Sequence, residues 1–401
     1  MPTTRLRTLS AAIPALAAVL AAACGALSAT PPPPTALAGS ERLAVWIGTY
    51  TDKGSRGIYG SQFDPGSGEL SEPVLAGRST NPSFLALHPN GRVLYAVNEV
   101  SSHGGARTGA VSAFAINAAT DGLTLLNQQP SGGADPCHIT VDHAGRHALV
   151  ANYTGGSVAV LPLDADGRLL PASSFLQFTG SGPNPQRQEG PHAHQIVLDP
   201  AERFALVADL GTDRILVFRY DRARGTLEPN DPPAAALAPG AGPRDLAWHP
   251  NGQYLYGLAE LASTVTVLRW DAERGALAAL QAMTTLPPGF AGANTAAEIA
   301  VSGDGRFLYA SNRGDDSITL FAIDTKAGTL TPAGRVAVGG RTPRHFTIDP
   351  TGRWLLVANQ DSDATTVFRI DPVSGLPRPS GRPLALSRPV CVVFAGAVTP
   401  R

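Results

Sequence analysis

Cysteine is scarce in this 401-residue chain: Cys24, Cys137 and Cys391 are the only three, and they lie far apart. Disulfide frameworks and zinc sites both need clustered cysteines, so no metal or other cofactor is expected. Charge is sparse too, at 16% of residues, and 31 basic against 32 acidic side chains nearly cancel, with no run of one sign. That balance lacks the basic footprint of a nucleic-acid binder, and nucleic acid is set aside as a partner. Long apolar runs are missing outside the N-terminus, where Arg5 and Arg7 precede an alanine-rich stretch from Leu9 to Ala23 that is short for a membrane span. Residues 1–29 therefore read as an export signal, giving a periplasmic protein or a membrane-anchored lipoprotein. Leu20 to Cys24 forms an imperfect lipoprotein box, its leucine one place early, so a lipid anchor at Cys24 stands beside plain cleavage near Ala29 or Ala38. Residues 30–43, with Pro31 to Pro34, form a stiff spacer.

Glycine and proline, in contrast, are plentiful at 43 and 35 residues, and between them lie short runs rich in Val, Leu and Thr. Such a composition favours strands punctuated by turns over long helices. One pattern recurs every fifty residues or so. The segments His88–Glu99, Asp142–Tyr153, Asp199–Leu210, His249–Glu260, Ser302–Arg313 and Asp349–Gln360 share a frame: a turn of the Pro-x-Gly-Arg type, an apolar strand, then a polar loop. An alternating strand follows, such as Val265–Asp271 or Ile318–Asp324, and a Gly-x-Leu turn closes most copies. The segment from Trp46 to Asp64 supplies strands without a first strand, and Arg388–Ala395 supplies a first strand without followers. Together they complete a seventh copy. The chain is thus expected to be all-β: a seven-bladed β-propeller over residues 44–396, with four-stranded blades and one blade closed by the N- and C-terminal strands. Closure removes the sheet edges that invite aggregation, and a closed ring is complete as a monomer.

In such a ring the innermost strand of every blade lines a central channel. The residue five before each turn opening marks where that strand begins: Ser83, Cys137, His194, Arg244, Ala297, Arg344 and Val390. A purely structural repeat would keep one small or apolar residue there, so a histidine and two arginines depart from the repeat's own average. The loops that share this rim contribute Glu99, Asn152, Asp209, Glu260, Arg313 and Asn359. His192 precedes His194 by two, on the same strand face. His138, Glu298 and His345 follow strand-start positions by one, which in a regular strand turns them toward a neighbouring blade. His88 and His249 stand where Asp or Ser stands in other copies and read as turn-satisfying groups. Cys137 and Cys391 fall on blades that are not adjacent, too far apart for a disulfide. Arginine provides planar, bidentate donors for a carboxylate, a phosphate or a developing oxyanion, and His or Glu can carry a proton near neutral pH. An ester or lactone carbonyl suits that set. No nucleophile elbow, phosphate-binding glycine loop, His-Glu-x-x-His or calcium loop is found.

The segments Gly190–Pro200, Gly242–Leu261, Ala296–Gly314 and Thr342–Gln360 resemble the propeller-type lactonase family, which includes cycloisomerase-like 6-phosphogluconolactonases and a fungal carboxy-muconate lactonising enzyme. The resemblance spans about residues 44 to 396. It implies that His194, Arg244, Glu260 and Arg313 match the family's proposed active-site set, with Arg344 nearby, and that His194 or Glu260 transfers the proton. His192, Arg344, Glu298, Glu99 and His138 are the remaining candidates for contact with a small-molecule lactone substrate. Two readings follow: a hydrolase of an anionic or sugar-derived lactone, or an exported propeller that binds a ligand or partner without catalysis. The first needs its proton carrier beside a carbonyl site flanked by arginine, whereas the second tolerates the same residues sealed in ion pairs between blades.

Overall fold

The computed structural model describes residues 42–395 apart from 118, 119 and 121; the export signal, Cys24 and all but the end of the spacer lie outside the described residues. The strands among the described residues form seven antiparallel sheets, joined by turns, loops and two short 3-10 segments, Leu210–Thr212 and Gln360–Ser362. Six of the sheets are four-stranded, and the seventh, whose outermost strand is broken into Glu69–Leu70 and Val74–Arg78, has five. That sheet, counted as the first blade with the others numbered in chain order, runs inward to outward from Pro389–Phe394 through Leu43–Thr49 and Gly57–Asp64, so the last strand of the described residues pairs with the first. Innermost strands touch their neighbours in sequence order, and Pro389–Phe394 lies between Pro343–Ile348 and Leu85–Leu87. The ring is closed.

Burial explains the sequence pattern. Second strands such as Val93–Asn98, Phe204–Asp209 and Trp354–Asn359 are buried along their whole length, since each sheet is covered by a neighbouring blade on both faces. They accordingly read as continuous apolar runs instead of alternating ones. Outer strands such as Ala276–Thr284 alternate and lie largely exposed. Seven apolar clusters fill the seven junctions between blades. At the closing junction Phe63 packs edge-on against Trp354 at 6.0 Å and against Phe394 at 5.4 Å. Polar ties repeat as well: the hydroxyls of Tyr95, Tyr256 and Tyr309 donate to the carbonyls of Gly167, Gly328 and Gly375 in the next blade, at 2.9, 3.0 and 2.8 Å. His88 and His249 make the matching contact from the turns, each 3.0 Å from the carbonyl of Gly145 or Gly305.

One irregularity positions the channel residues. In six of the seven blades the register slips where the innermost strand pairs with the second: the residue skipped is Cys137, His194, Arg244, Arg344 or Val390, and in the sixth blade the slip spans Ala297 and Glu298, whereas Leu85–Leu87 pairs without a slip. These are the strand-start positions. A bulge leaves its extra residue out of the ladder and re-aims the side chains around it. Period-2 alternation therefore fails here, and residues one step later can still reach the channel.

Candidate active site

Two cavities lie along the channel. The larger, of about 170 Å³, is lined by Tyr50, Glu99, Cys137, Tyr153, Arg187, His194, Arg244, Glu260, Arg313 and Arg344. The smaller, of about 10 Å³ and near the least volume that holds one water, involves Ser83, Phe84, Asp245, Glu298, His345 and Val390. Cys137, His194, Arg244 and Arg344 line both, so they form the floor of the larger cavity.

Glu260 is the hub of that floor and wall. It ends the second strand of the fifth blade, Tyr254–Ala259, and its carboxylate accepts from three guanidinium groups. Oε2 takes Arg244 Nη1 at 2.7 Å and lies 2.9 Å from Arg313 Nη2, while Oε1 takes Arg187 Nη2 at 2.6 Å. Burial on its own would raise the carboxyl's pKa, but the guanidiniums of Arg313, Arg244 and Arg187 outweigh it and hold the group well below the usual range. Glu260 is therefore a fixed anion, unsuited to trading protons near neutral pH. The same ion pairs tie the fifth blade to the sixth and to the segment that carries Arg187. Arg344 is different: its nearest carboxylate oxygen is Glu99 Oε2 at 3.8 Å, its guanidinium lies 5.2 Å from the centre of the Tyr50 ring, and it makes no hydrogen bond among the described residues. The Tyr50 hydroxyl meanwhile donates to Glu99 at 2.9 Å.

His194 sits at the bulge of the fourth blade, buried, with Nδ1 3.1 Å from Oδ1 of Asp245 in the fifth. Burial raises the Asp245 pKa, yet the hydrogen bond with His194 and the charge of Arg244 outweigh it and keep the carboxyl ionised. An ionised carboxylate only accepts, so the imidazole proton belongs on Nδ1 and Nε2 is left as an acceptor. Burial, and after it Arg244, lower the His194 pKa to about 4, so the ring is neutral over the physiological range. His194 and the unclaimed guanidinium of Arg344 line one cavity: a proton acceptor and a cationic donor together.

Below them Glu298 faces His345, whose Nε2 is 3.5 Å from Glu298 Oε2. The backbone N–H of Val392 donates to His345 Nδ1 at 3.3 Å, which puts the imidazole proton on Nε2. Burial and then the charge of Asp245 push the Glu298 carboxyl well above its ordinary range, and burial lowers His345 to about 4. The pair is thus neutral. His138 is buried against Phe84, with ring centres 4.3 Å apart, and burial lowers its pKa to about 3.

Most of the residues singled out from sequence come together: His194, Arg244, Glu260, Arg313, Arg344 and Glu99 line the larger cavity. Glu298 and His345 line the smaller one, a correction to the neighbouring-blade orientation that regular alternation implies; the bulges are the cause. His138 and His192 line neither. His192 stacks on Tyr153 at 4.6 Å and contacts Glu189 at 3.3 Å; the bulge at His194 breaks the shared face expected of the two histidines. Asn152, Asp209 and Asn359 also stay out of the cavity. They end strands with their side chains turned into the protein, Asn152 toward Ser131 and Ser157, Asp209 toward Gly211 and Thr212, Asn359 toward Thr366. The true companions of Glu99, Glu260 and Arg313 sit one residue later, which brings in Tyr153 and, from the first strand, Tyr50. Aligning the six copies on their turns contains that signal. Arg187 and Asp245 were not singled out; the first lies outside the repeat and the second beside a bulge.

Residues 44–394 match the family described as Lactonase, 7-bladed beta-propeller. The chain is 36% identical to the 6-phosphogluconolactonase of Bacillus subtilis over 301 residues, covering 75% of this chain and 83% of that protein. It is 35% identical to the 6-phosphogluconolactonase of Formosa agariphila over 75% of this chain and 85% of that one. Among solved structures it is similar to the periplasmic gluconolactonase of Pseudomonas aeruginosa, with 34% identity, a TM-score of 0.84, and coverage of 89% of this chain and 99% of that chain.

Proposed function

The chain belongs to the lactonase family of seven-bladed β-propellers, and from that premise we propose that it hydrolyses a sugar-derived lactone in the larger cavity, with His194 carrying the proton. The observation that supports this most is the placing in one cavity of His194, tied at Nδ1 to Asp245, and an Arg344 guanidinium that makes no hydrogen bond among the described residues. A water gives a proton to Nε2 as its oxygen bonds the carbonyl carbon. The carbonyl oxygen becomes an oxyanion, and Arg344 supplies the donor that stabilises it. Collapse breaks the bond between that carbon and the ring oxygen, which takes the proton back from Nε2 and leaves an open-chain hydroxy acid. Glu260 holds Arg244 and Arg313 in place instead of moving protons, so of the two carriers the family resemblance leaves open, His194 is the one favoured.

The test is lactone opening by the mature protein, with 6-phosphogluconolactone and gluconolactone followed above their spontaneous rates and His194→Ala and Arg344→Ala alongside. Turnover lost in both variants supports the reading. Turnover of neither lactone by the native protein moves the weight to a binding role. Export is proposed on the leader at residues 1–29 and on the periplasmic relative. The mass of the mature N-terminus separates lipidation at Cys24 from cleavage further on.

A further inference from the structure

Three of the four cavity arginines come from blade strands, but Arg187 does not. It stands on an arm between Ser174–Gln177, the last strand of the third blade, and Ala193–Leu198, the first of the fourth. The arm is anchored. Gln188, fully buried, donates from Nε2 to the Leu210 carbonyl at 2.8 Å and to Asp213 Oδ1 at 2.7 Å, and its Oε1 accepts from the Asn184 N–H at 3.1 Å. The Arg187 and Gln188 N–H groups both donate to the Asn184 carbonyl, at 3.2 and 2.7 Å. Where the arm returns, a Cβ on Gly211 would lie 1.8 Å from the Gly190 carbonyl oxygen, so only glycine lets the arm seat there. This is a built support that holds one guanidinium over the cavity.

Exposure places that guanidinium at the mouth. The Arg187 side chain is 38% exposed, against 5% for Arg244, 14% for Arg313 and 16% for Arg344. Its Nη2 meets Glu260 and the Tyr153 hydroxyl, the latter at 3.1 Å, while Nε and Nη1 have no partner among the described residues. Glu260 does not depend on it for charge balance, because Oε2 already meets Arg244 and Arg313. Arg187 can therefore turn donors to a ligand without leaving a buried carboxylate uncompensated.

We propose that Arg187 is the specificity-determining residue of this site, selecting a lactone that bears an anionic group, a phosphate monoester or a carboxylate, at the end of the ring remote from the carbonyl. This rests on the lactone-hydrolysis reading. With the carbonyl at the floor beside His194 and Arg344, the far end of a six-membered ring points to the mouth, where Arg187 offers a planar fork that fits two anionic oxygens. A charge-assisted contact of this kind sets a selectivity of roughly 10- to 100-fold.

The experiment compares kcat/KM for 6-phosphogluconolactone and gluconolactone in the native protein, Arg187→Ala and Arg187→Lys. The phosphorylated lactone is the better substrate of the native protein. Arg187→Ala lowers the ratio of the two constants by roughly 10- to 100-fold, chiefly through KM of the phosphorylated lactone, and Arg187→Lys restores part of it. A native ratio favouring the neutral lactone, or an equal fall on both lactones, overturns the proposal. Binding of the open-chain acids, 6-phosphogluconate and gluconate, is measured by calorimetry in parallel, so a protein without turnover still gives an answer. In that case the lactonase reading fails, and selective weakening of 6-phosphogluconate by Arg187→Ala keeps the anion-recognition role, whereas equal binding of both acids removes it.

Discussion

Glu260 and Glu298 stand in one channel, both largely withdrawn from water, and carry opposite charge states. Burial raises the pKa of each. Around Glu260 three guanidiniums lie within 3 Å, and the carboxyl stays ionised. Among the described residues the Glu298 carboxyl meets only the Ile299 backbone N–H at 3.3 Å and a neutral imidazole at 3.5 Å, with Asp245 as its strongest charge neighbour, and it keeps its proton. The lesson is that the charge state of a buried carboxyl in this channel is set by whether arginine reaches it, from a bulge (Arg244), a strand end (Arg313) or an inserted arm (Arg187). The upper cavity is a charged receptacle, and the Glu298–His345 pair beneath it is a neutral plug.

The contrast can be broken most forcefully at its charged end. Glu260→Ala leaves three guanidiniums facing one another without their shared anion. Loss of activity by roughly 10²- to 10³-fold is expected, on the scale of a lost electrostatic element, together with a stability loss of about 3–5 kcal/mol in denaturant titration. Near-normal turnover in this variant would show that the arginines do not need their hub. His194→Ala is next, with kcat down by roughly 10²- to 10⁴-fold and a native-like unfolding midpoint. The native protein should show its acid limb of kcat/KM near pH 4, where Nε2 of His194 gains a proton. A limb near the ordinary histidine value of about 6.5 contradicts a buried neutral base.

Acid also tests the plug. His194 and His345 at about 4 and His138 at about 3 all lie below their unfolded value of 6.5. As pH falls below 6.5 the unfolded chain takes up protons that the folded chain refuses, so stability declines by about 2 kcal/mol per histidine by pH 4.5. Glu298 opposes this, because its folded carboxyl is already protonated where the unfolded one is not. Replacing His345 by Gln should flatten the pH dependence of the denaturant midpoint by one histidine's share. The smallest effect belongs to Glu298→Gln. An amide resembles a protonated carboxyl, so kcat/KM should change by less than about threefold and stability by under about 1 kcal/mol. A tenfold change would mean that Glu298 is ionised, and the two carboxylates would no longer differ.

The ring itself was legible in the sequence because each blade repeats one turn and one buried strand, and because the two incomplete ends complement each other. His194, Arg244 and Arg344 were legible for the opposite reason, as departures from that repeat. What escaped follows from two physical causes. Bulges suspend alternation, so Asp245, next to Arg244, and Glu298, next to Ala297, reach the channel against the expected phase. Arg187 belongs to an arm that no other blade possesses, and a method that compares copies has nothing to compare it with. Tyr50 and Tyr153 needed only a frame one residue later.

Closure by the terminal strands also has a temporal side. Val45 pairs with Phe394, and Trp46 with Val393, so the first strand of the ring waits for a strand made after all the other blades before its inner edge is covered. Until then an unpaired edge and an open junction remain, and long-range pairing of this sort is slow to form. A nascent chain of this design stays unlocked until Pro389–Phe394 has been made. Threading through a pore, or capture by a chaperone, has that entire interval in which to act.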